Sequence, residues 1–292
     1  MGALIEVNTD GLAKLAETVG GWFGWNARAI EHKAEAEAFA AVRKVDAENA
    51  TNLARLQGEE QFANYILARE KRKMNNAISV VDLAQTQFTE GEQASDEPVN
   101  PDWLNRFFSI VENVSDAEMQ QLWARILAGE VKKPKSYSLR TLEILRNITK
   151  EEAEQISDVS AFVVYGGMMC SEDFGINSRI IPLLDELGLI CGEEMVRRYT
   201  ITPNAPRNIV VDKSQLISLY SSSAIKVELK YYILTRAGRE IFTLPTQPDT
   251  KGFVVNLVHH FKQYGLNKIT LNHIEKWEGE KYYYIEDNAI EL

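Results

Sequence analysis

Residues Leu122–Leu145 read LWARILAGEVKKPKSYSLRTLEIL. Trp123, Ile126 and Leu127 fall at the three- and four-residue spacing of one helical face. Leu139, Leu142 and Leu145 repeat that spacing after a break. Between them, Gly129 can end the first helix, Pro134 blocks its continuation, and Ser136 or Ser138 can cap the second. The stretch is therefore a helix–elbow–helix unit. It also crowds Lys132, Lys133 and Lys135 into one elbow of a chain whose net charge is −10. Lysines just past a helix C-terminus suit the negative end of its dipole. They also offer a docking point for an acidic partner, a neighbouring subunit or a nucleic-acid backbone.

The helical pattern extends both ways from the elbow. Upstream, PDWLNRFFSIVENV starts with Pro101 and places Trp103, Leu104, Phe107, Phe108 and Val111 on one side. Ser115 and Glu118 then have the spacing of a capping box. Downstream, Thr149 and Glu152 repeat that logic before Ala153, Ile156 and Val159. Further upstream, Thr89 to Pro101 reads TEGEQASDEPVNP, an acidic stretch with two prolines that is expected to link domains.

Residues 26–74 hold no proline and only Gly58, the composition of one or two long helices. Their apolar stripe of Ala27, Ile30, Ala34, Ala38, Ala41 and Val45 is thin, and too short for a sustained coiled coil. Helices with so little to bury lean on another subunit or project from the body, so a homo-oligomer is expected. At the N-terminus, Leu12, Leu15, Ala16, Val19, Trp22 and Phe23 follow a helical spacing. Packing against the body accounts for this face. The alternative is that Trp22, Phe23 and Trp25 touch a membrane or a partner's groove, although Lys14 is the only cation on the helix.

The last third changes character. IIPLLDELGLI is a short helix ended by a Gly turn, and RRYTIT, RNIVVD and IKVELKYYILT are β-branched and aromatic runs. Thr235 caps a helix after the last of these, and KGFVVNLVHHFKQYG forms another. The expected architecture is mainly α. It comprises an N-terminal helical extension over 1–88, an acidic linker over 89–101, a central helical domain over 102–168, and an α+β region of winged-helix character over 169–292.

In a winged helix, SEDFGINSRIIPLLDELGLI would supply the second and third helices, and RRYTIT and KYYILT the wing. Arg179, Arg197, Arg198, Arg207, Lys226, Lys230, Arg236 and Arg239 are in reach. Asp185 and Glu186 on the reading helix repel phosphates, whereas a DNA reader presents Arg, Lys, Asn or Gln there. Protein contact is the expected use, with DNA contact as the alternative.

Length and composition bound the rest. A chain of 292 residues exceeds one hydrophobic core. Cys170 and Cys191 are too few for a disulfide framework and fit a reducing cytosol. No leader pattern opens the sequence, and no window of about 18 apolar residues occurs, so a cytoplasmic protein is expected. His259 and His260 are adjacent, about 100° apart on a helix, and cannot act as an i, i+4 metal pair. His32 and His273 stand far from them in sequence. No zinc-ligand spacing and no Gly-rich phosphate loop is present, so no metal or cofactor is expected. One carboxylate pattern remains. Asp212 after a strand, with Glu228 and Lys230 on another, could hold a divalent metal for phosphodiester cleavage. Glu and Lys two residues apart also sit naturally on the wet face of a strand.

Three segments together resemble the bacterial Abi-alpha (abortive infection alpha) family. They are NVSDAEMQQLWARILAGEVKKPKSYSLRTLEILRNITKEEAEQI, IIPLLDELGLI and YYILTRAGREIF. The resemblance implies a part in defence against phage, or in prophage biology, exercised on a phage or host protein partner. It transfers no catalytic residues.

Overall fold

The structure is a computed structural model, and it describes residues 11–22, 53–89, 94–164, 167–170, 176–203, 205–244, 250–278, 281–286 and 290–291. The chain divides into two compact units, Met1–Arg146 and Asn147–Leu292. The acidic stretch 89–101 thus falls inside the first unit. Its described part is tied down there: Val99 is buried, Ser95 N donates to Lys132 O at 3.1 Å, and Asn100 caps the next helix.

The first unit is helical. Helix α1 covers residues 11–22, α2 Leu53–Gln85, α3 Pro101–Val111, α4 Ala117–Lys132 and α5 Leu139–Asn147. Asn100 Oδ1 accepts from the amides of Asp102 and Trp103, and Pro101 fills the first helical position. Asp116, rather than Ser115, caps α4, taking the amides of Glu118 and Met119 at 3.0 Å each. Trp103, Phe107 and Phe108 of α3 and Trp123, Ile126 and Leu127 of α4 form the core. Gly11, Leu15 and Val19 of α1 are buried, and Trp22 stacks on Phe108 with ring centroids 3.8 Å apart.

The second unit corrects the expectation of a mainly α chain with a winged-helix tail. Its described residues form two antiparallel sheets. After α6 (Lys150–Val159) come β1 (Val163–Val164), β2 (Met168–Cys170), α7 (Ile181–Glu186), β3 (Ile190–Ile201), β4 (Arg207–Val210), β5 (Gln215–Tyr220) and β6 (Ile225–Leu234). Then follow α8 (Arg236–Ile241), α9 (Lys251–Lys262), β7 (Lys268–Glu278), β8 (Lys281–Tyr284) and β9 (Ile290–Glu291). One sheet has the order β1-β2-β6-β3. The other has the order β4-β5-β7-β8, with β9 also paired to β7. RRYTI lies in β3 and KYYIL in β6, and these strands pair, but the register sets RRYTI against Ile225–Leu229 rather than KYYIL, and β4 and β5 are inserted between the two strands and belong to the other sheet. Helix α7 has only six residues, with Pro182 at its start and Gly188 at φ +65° just past its end. That is about 9 Å of helix, too little to read a groove.

Several local readings hold. Thr149 and Glu152 form the capping box of α6, with both reciprocal bonds present. Thr235 caps α8 through Gly238 N, and its hydroxyl also donates to Gly188 O at 2.7 Å. Gly238 is required by this docking, because a Cβ there would stand 2.0 Å from Leu189 O. Gly238→Ala is expected to destabilise the chain by about 2–3 kcal/mol through overpacking against backbone that cannot yield. Denaturant unfolding beside wild type measures it.

Candidate functional site

The lysine elbow is built around a carboxylate. Glu130 is 2 % exposed, and it accepts Lys135 N at 2.6 Å and Tyr137 N at 3.0 Å. Tyr137 folds back over α4 so closely that a Cβ on Gly129 would lie 2.8 Å from its ring. Gly129 is therefore an interior helical residue, not a stop, and α4 runs on to Lys132. Tyr137 O in turn accepts Trp103 Nε1 at 2.8 Å. The reversal itself comes from Lys135, which adopts φ +71°. Ser138 opens α5, its hydroxyl accepting Thr141 N at 3.3 Å.

The lysine charges are largely committed within the unit. Lys132 Nζ donates to Gln87 O at 2.6 Å and lies 5.0 Å from the centre of the Phe88 ring. Lys135 pairs with Glu97, and that contact holds its ammonium above the ordinary lysine range. Lys133 is exposed. The elbow is thus a structural joint that ties α4, α5, the end of α2 and the 94–100 segment together.

The nuclease trio falls into separate local roles. Asp212 belongs to the turn between β4 and β5, where Oδ1 accepts Ser214 N, Ser214 Oγ and Gln215 N. Glu228 on β6 binds Arg198 of β3 at 2.6 Å, and Lys230 lies 3.9 Å from Glu194. Val196, Arg198 and Thr200 of β3 stand opposite Lys230, Glu228 and Lys226 of β6, so Glu228 and Lys230 lie on a wet strand face, with Glu228 in a cross-strand ion pair. Among the described residues no group of three or more His, Cys, Asp or Glu could hold a metal ion. His260 bonds Glu228 O at 2.8 Å, His259 and His273 are exposed, and His32 lies outside the described residues.

Other basic side chains are likewise engaged. Arg236 pairs with Glu240 at 2.7 Å, and Arg239 Nη1 donates to Leu234 O at 3.1 Å. Arg197 and Arg207 both lie against the Tyr199 ring, at 5.4 and 4.4 Å from its centre.

Of the N-terminal aromatic trio, Trp22 packs on Phe108, while Phe23 and Trp25 lie outside the described residues. The buried face of α1 serves the unit's own core. Among the described residues no helix is long and apolar enough to cross a membrane. Burial pushes the Cys170 thiol well above its ordinary range, while Cys191 is exposed. Titration with a thiol reagent is expected to label Cys191 in the folded chain and Cys170 only after unfolding.

The surface that sequence reading missed is on α2. Its 33 residues span about 50 Å, against about 24 Å for the 16 residues of α4 on which it packs. Near one end α2 is anchored. Ala77, Val80 and Ala84 are buried, Lys73 pairs with Glu112 at 2.7 Å, and Asn76 Nδ2 donates to Glu112 O and Ser115 Oγ. Phe62 lies about five helical turns before Val80, on the same line of the helix. Yet Phe62 is 65 % exposed and Tyr65, one turn on, 62 %. Leu67, on the other side, is 63 % exposed. Phe62 and Tyr65 thus form an apolar ridge beyond the cover of α2, separated from its buried end by Arg69 and Lys73 on the same line.

A family described only as proteins of unknown function (DUF2806) matches residues 60–171. The matched segment holds both the exposed ridge of α2 and the elbow. No curated protein and no solved structure matches the chain.

Proposed function

We propose that this chain is a non-enzymatic sensor or effector of anti-phage defence, of abortive-infection type, and that it acts by self-assembly through α2. The observation that carries the assembly is the uncovered ridge of Phe62 and Tyr65, collinear with a stripe that is buried lower on the same helix. Large aromatic side chains in the open gain about 1.5–3 kcal/mol each when buried. A second copy offers the same ridge, and a two-fold contact would cover both at once. The defence context comes from the resemblance of the elbow and the LTRAGREIF segment to the Abi-alpha family. No observation favours cleavage at Asp212, Glu228 and Lys230, or DNA reading by α7.

A phage challenge of expressing cells tests the reading. Wild type is expected to reduce plaque formation, and the Phe62→Glu, Tyr65→Glu double variant to lose that protection while accumulating to the same level. Full protection by the double variant contradicts it.

A further inference from the structure

The β4-β5-β7-β8 sheet buries side chains on both faces, one of them apolar and the other mixing Leu216 and Ile274 with polar side chains. Ile209, Ile217, Leu219 and Ile269 join Phe253 and Leu257 of α9 in one buried cluster. On the opposite face the register sets Asn208 beside Ser218, Ser218 beside Thr270, and Leu216 beside Asn272. Ser218, Thr270 and Asn272 are 0–1 % exposed. Burying polar side chains where apolar ones would pack is costly unless they are satisfied.

The sheet closes over this polar face. Strands β4 and β8 stand at the two ends of the strand order. Yet Asn208 Nδ2 on β4 donates to Tyr284 Oη on β8 at 2.9 Å. Tyr220 Oη on β5 donates to Glu286, just past β8, at 2.8 Å. Trp277 Nε1 on β7 donates to Lys213 O in the β4–β5 turn at 2.7 Å. The first two of these bonds join elements that are not neighbours in the sheet, and they turn it into a trough.

Inside the trough runs a chain of hydrogen bonds. Asn272 Nδ2 donates to Ser218 Oγ at 2.8 Å and to Thr270 Oγ1 at 3.1 Å, and Ser218 Oγ donates to Asn208 Oδ1 at 2.8 Å. This uses the amide hydrogens of Asn272 and leaves its Oδ1 buried with no partner. An orphaned buried acceptor is a cost that a folded chain rarely carries without a use. Tyr284 accepts from Asn208, so its own hydroxyl hydrogen remains to be donated. Beside it, Trp277, Tyr282 and Tyr284 form a half-buried aromatic row, with successive ring centroids 5.4 and 6.2 Å apart.

We infer that the trough binds a nucleobase. One ring donor satisfies Asn272 Oδ1, an adjacent ring acceptor takes the Tyr284 hydroxyl, and the base stacks on Trp277 or Tyr282. An orphan acceptor and an available donor on one face call for a ligand edge carrying both groups, and the aromatic row calls for a flat one. Entry of the base to Asn272 breaks the Asn208–Tyr284 bond, and the Tyr284 hydroxyl released by it turns to the base. The base could belong to a free nucleotide or to an unpaired position in single-stranded nucleic acid. This site belongs to the second unit, whereas the assembly surface on α2 belongs to the first.

Calorimetric titration of the full chain with each common nucleoside monophosphate, and separately with short single-stranded homopolymers, tests the inference. At least one base is expected to bind. Trp277→Leu and Asn272→Leu are each expected to weaken binding by about tenfold or more, equivalent to about 1.4 kcal/mol. Trp277 is half-buried, so that variant keeps the test alive if Asn272→Leu fails to fold. Binding of monophosphates assigns a free nucleotide, and binding of homopolymers alone assigns a strand. No binding in either arm, or binding indifferent to Trp277→Leu, overturns the proposal.

Discussion

Glu130→Ala is expected to cost about 3–5 kcal/mol, a large share of the stability of an ordinary domain. The change removes a carboxylate that holds the amides of Lys135 and Tyr137. Charge-assisted hydrogen bonds of this kind contribute about 1.5–3 kcal/mol each, and the amide of the buried Tyr137 would be left without that acceptor. The loss also loosens Tyr137, whose carbonyl anchors the Trp103 indole. The midpoint of urea unfolding should fall with an unchanged slope. Glu130→Gln should lose less, because its amide oxygen can still accept one of the two bonds. By contrast, Lys133→Glu, at an exposed position on the same elbow, should stay within about 0.5 kcal/mol of wild type. An elbow that depended on its lysines for stability would reverse that order.

The second large effect concerns α2. Phe62→Glu with Tyr65→Glu should weaken self-association by at least about a hundredfold, since each aromatic is expected to contribute about 1.5–3 kcal/mol when covered. Folding of the unit should be unaffected, because both side chains are mostly exposed in the single chain. Far-ultraviolet circular dichroism and the thermal midpoint check that side of the claim. Substitution of Lys71 and Arg72, exposed on the same helix, should leave association nearly unchanged. A ridge that matters through its apolar surface rather than through charge predicts this difference.

What could be read from the sequence was local and helical. The Thr149–Glu152 box, the Thr235 cap, the Pro101 start and the elbow all depend on neighbours within a few residues, and short-range spacing carries that information. Glu130 had a readable signal. It lies three and four residues after Leu127 and Ile126, on the apolar stripe of α4, where a charge must be buried and held by donors. The two sheets had a weaker one. Most of β3 is exposed and shows no apolar alternation, so its strand character comes from pairing with β6, set far away in sequence. Asn208, Ser218, Thr270 and Asn272 resemble loop residues, and only the register of four strands reveals a buried polar trough. The ridge on α2 has the opposite problem. Phe62 and Val80 share one helical line, and periodicity alone does not say which part of the line has a partner within the chain.

Light scattering coupled to size-exclusion chromatography on the purified full chain decides whether α2 assembles the protein. Wild type is expected to show a mass of two or more times 33.1 kDa, falling to 33.1 kDa for the Phe62→Glu, Tyr65→Glu variant. A single 33.1 kDa species for wild type at every concentration loaded would contradict it.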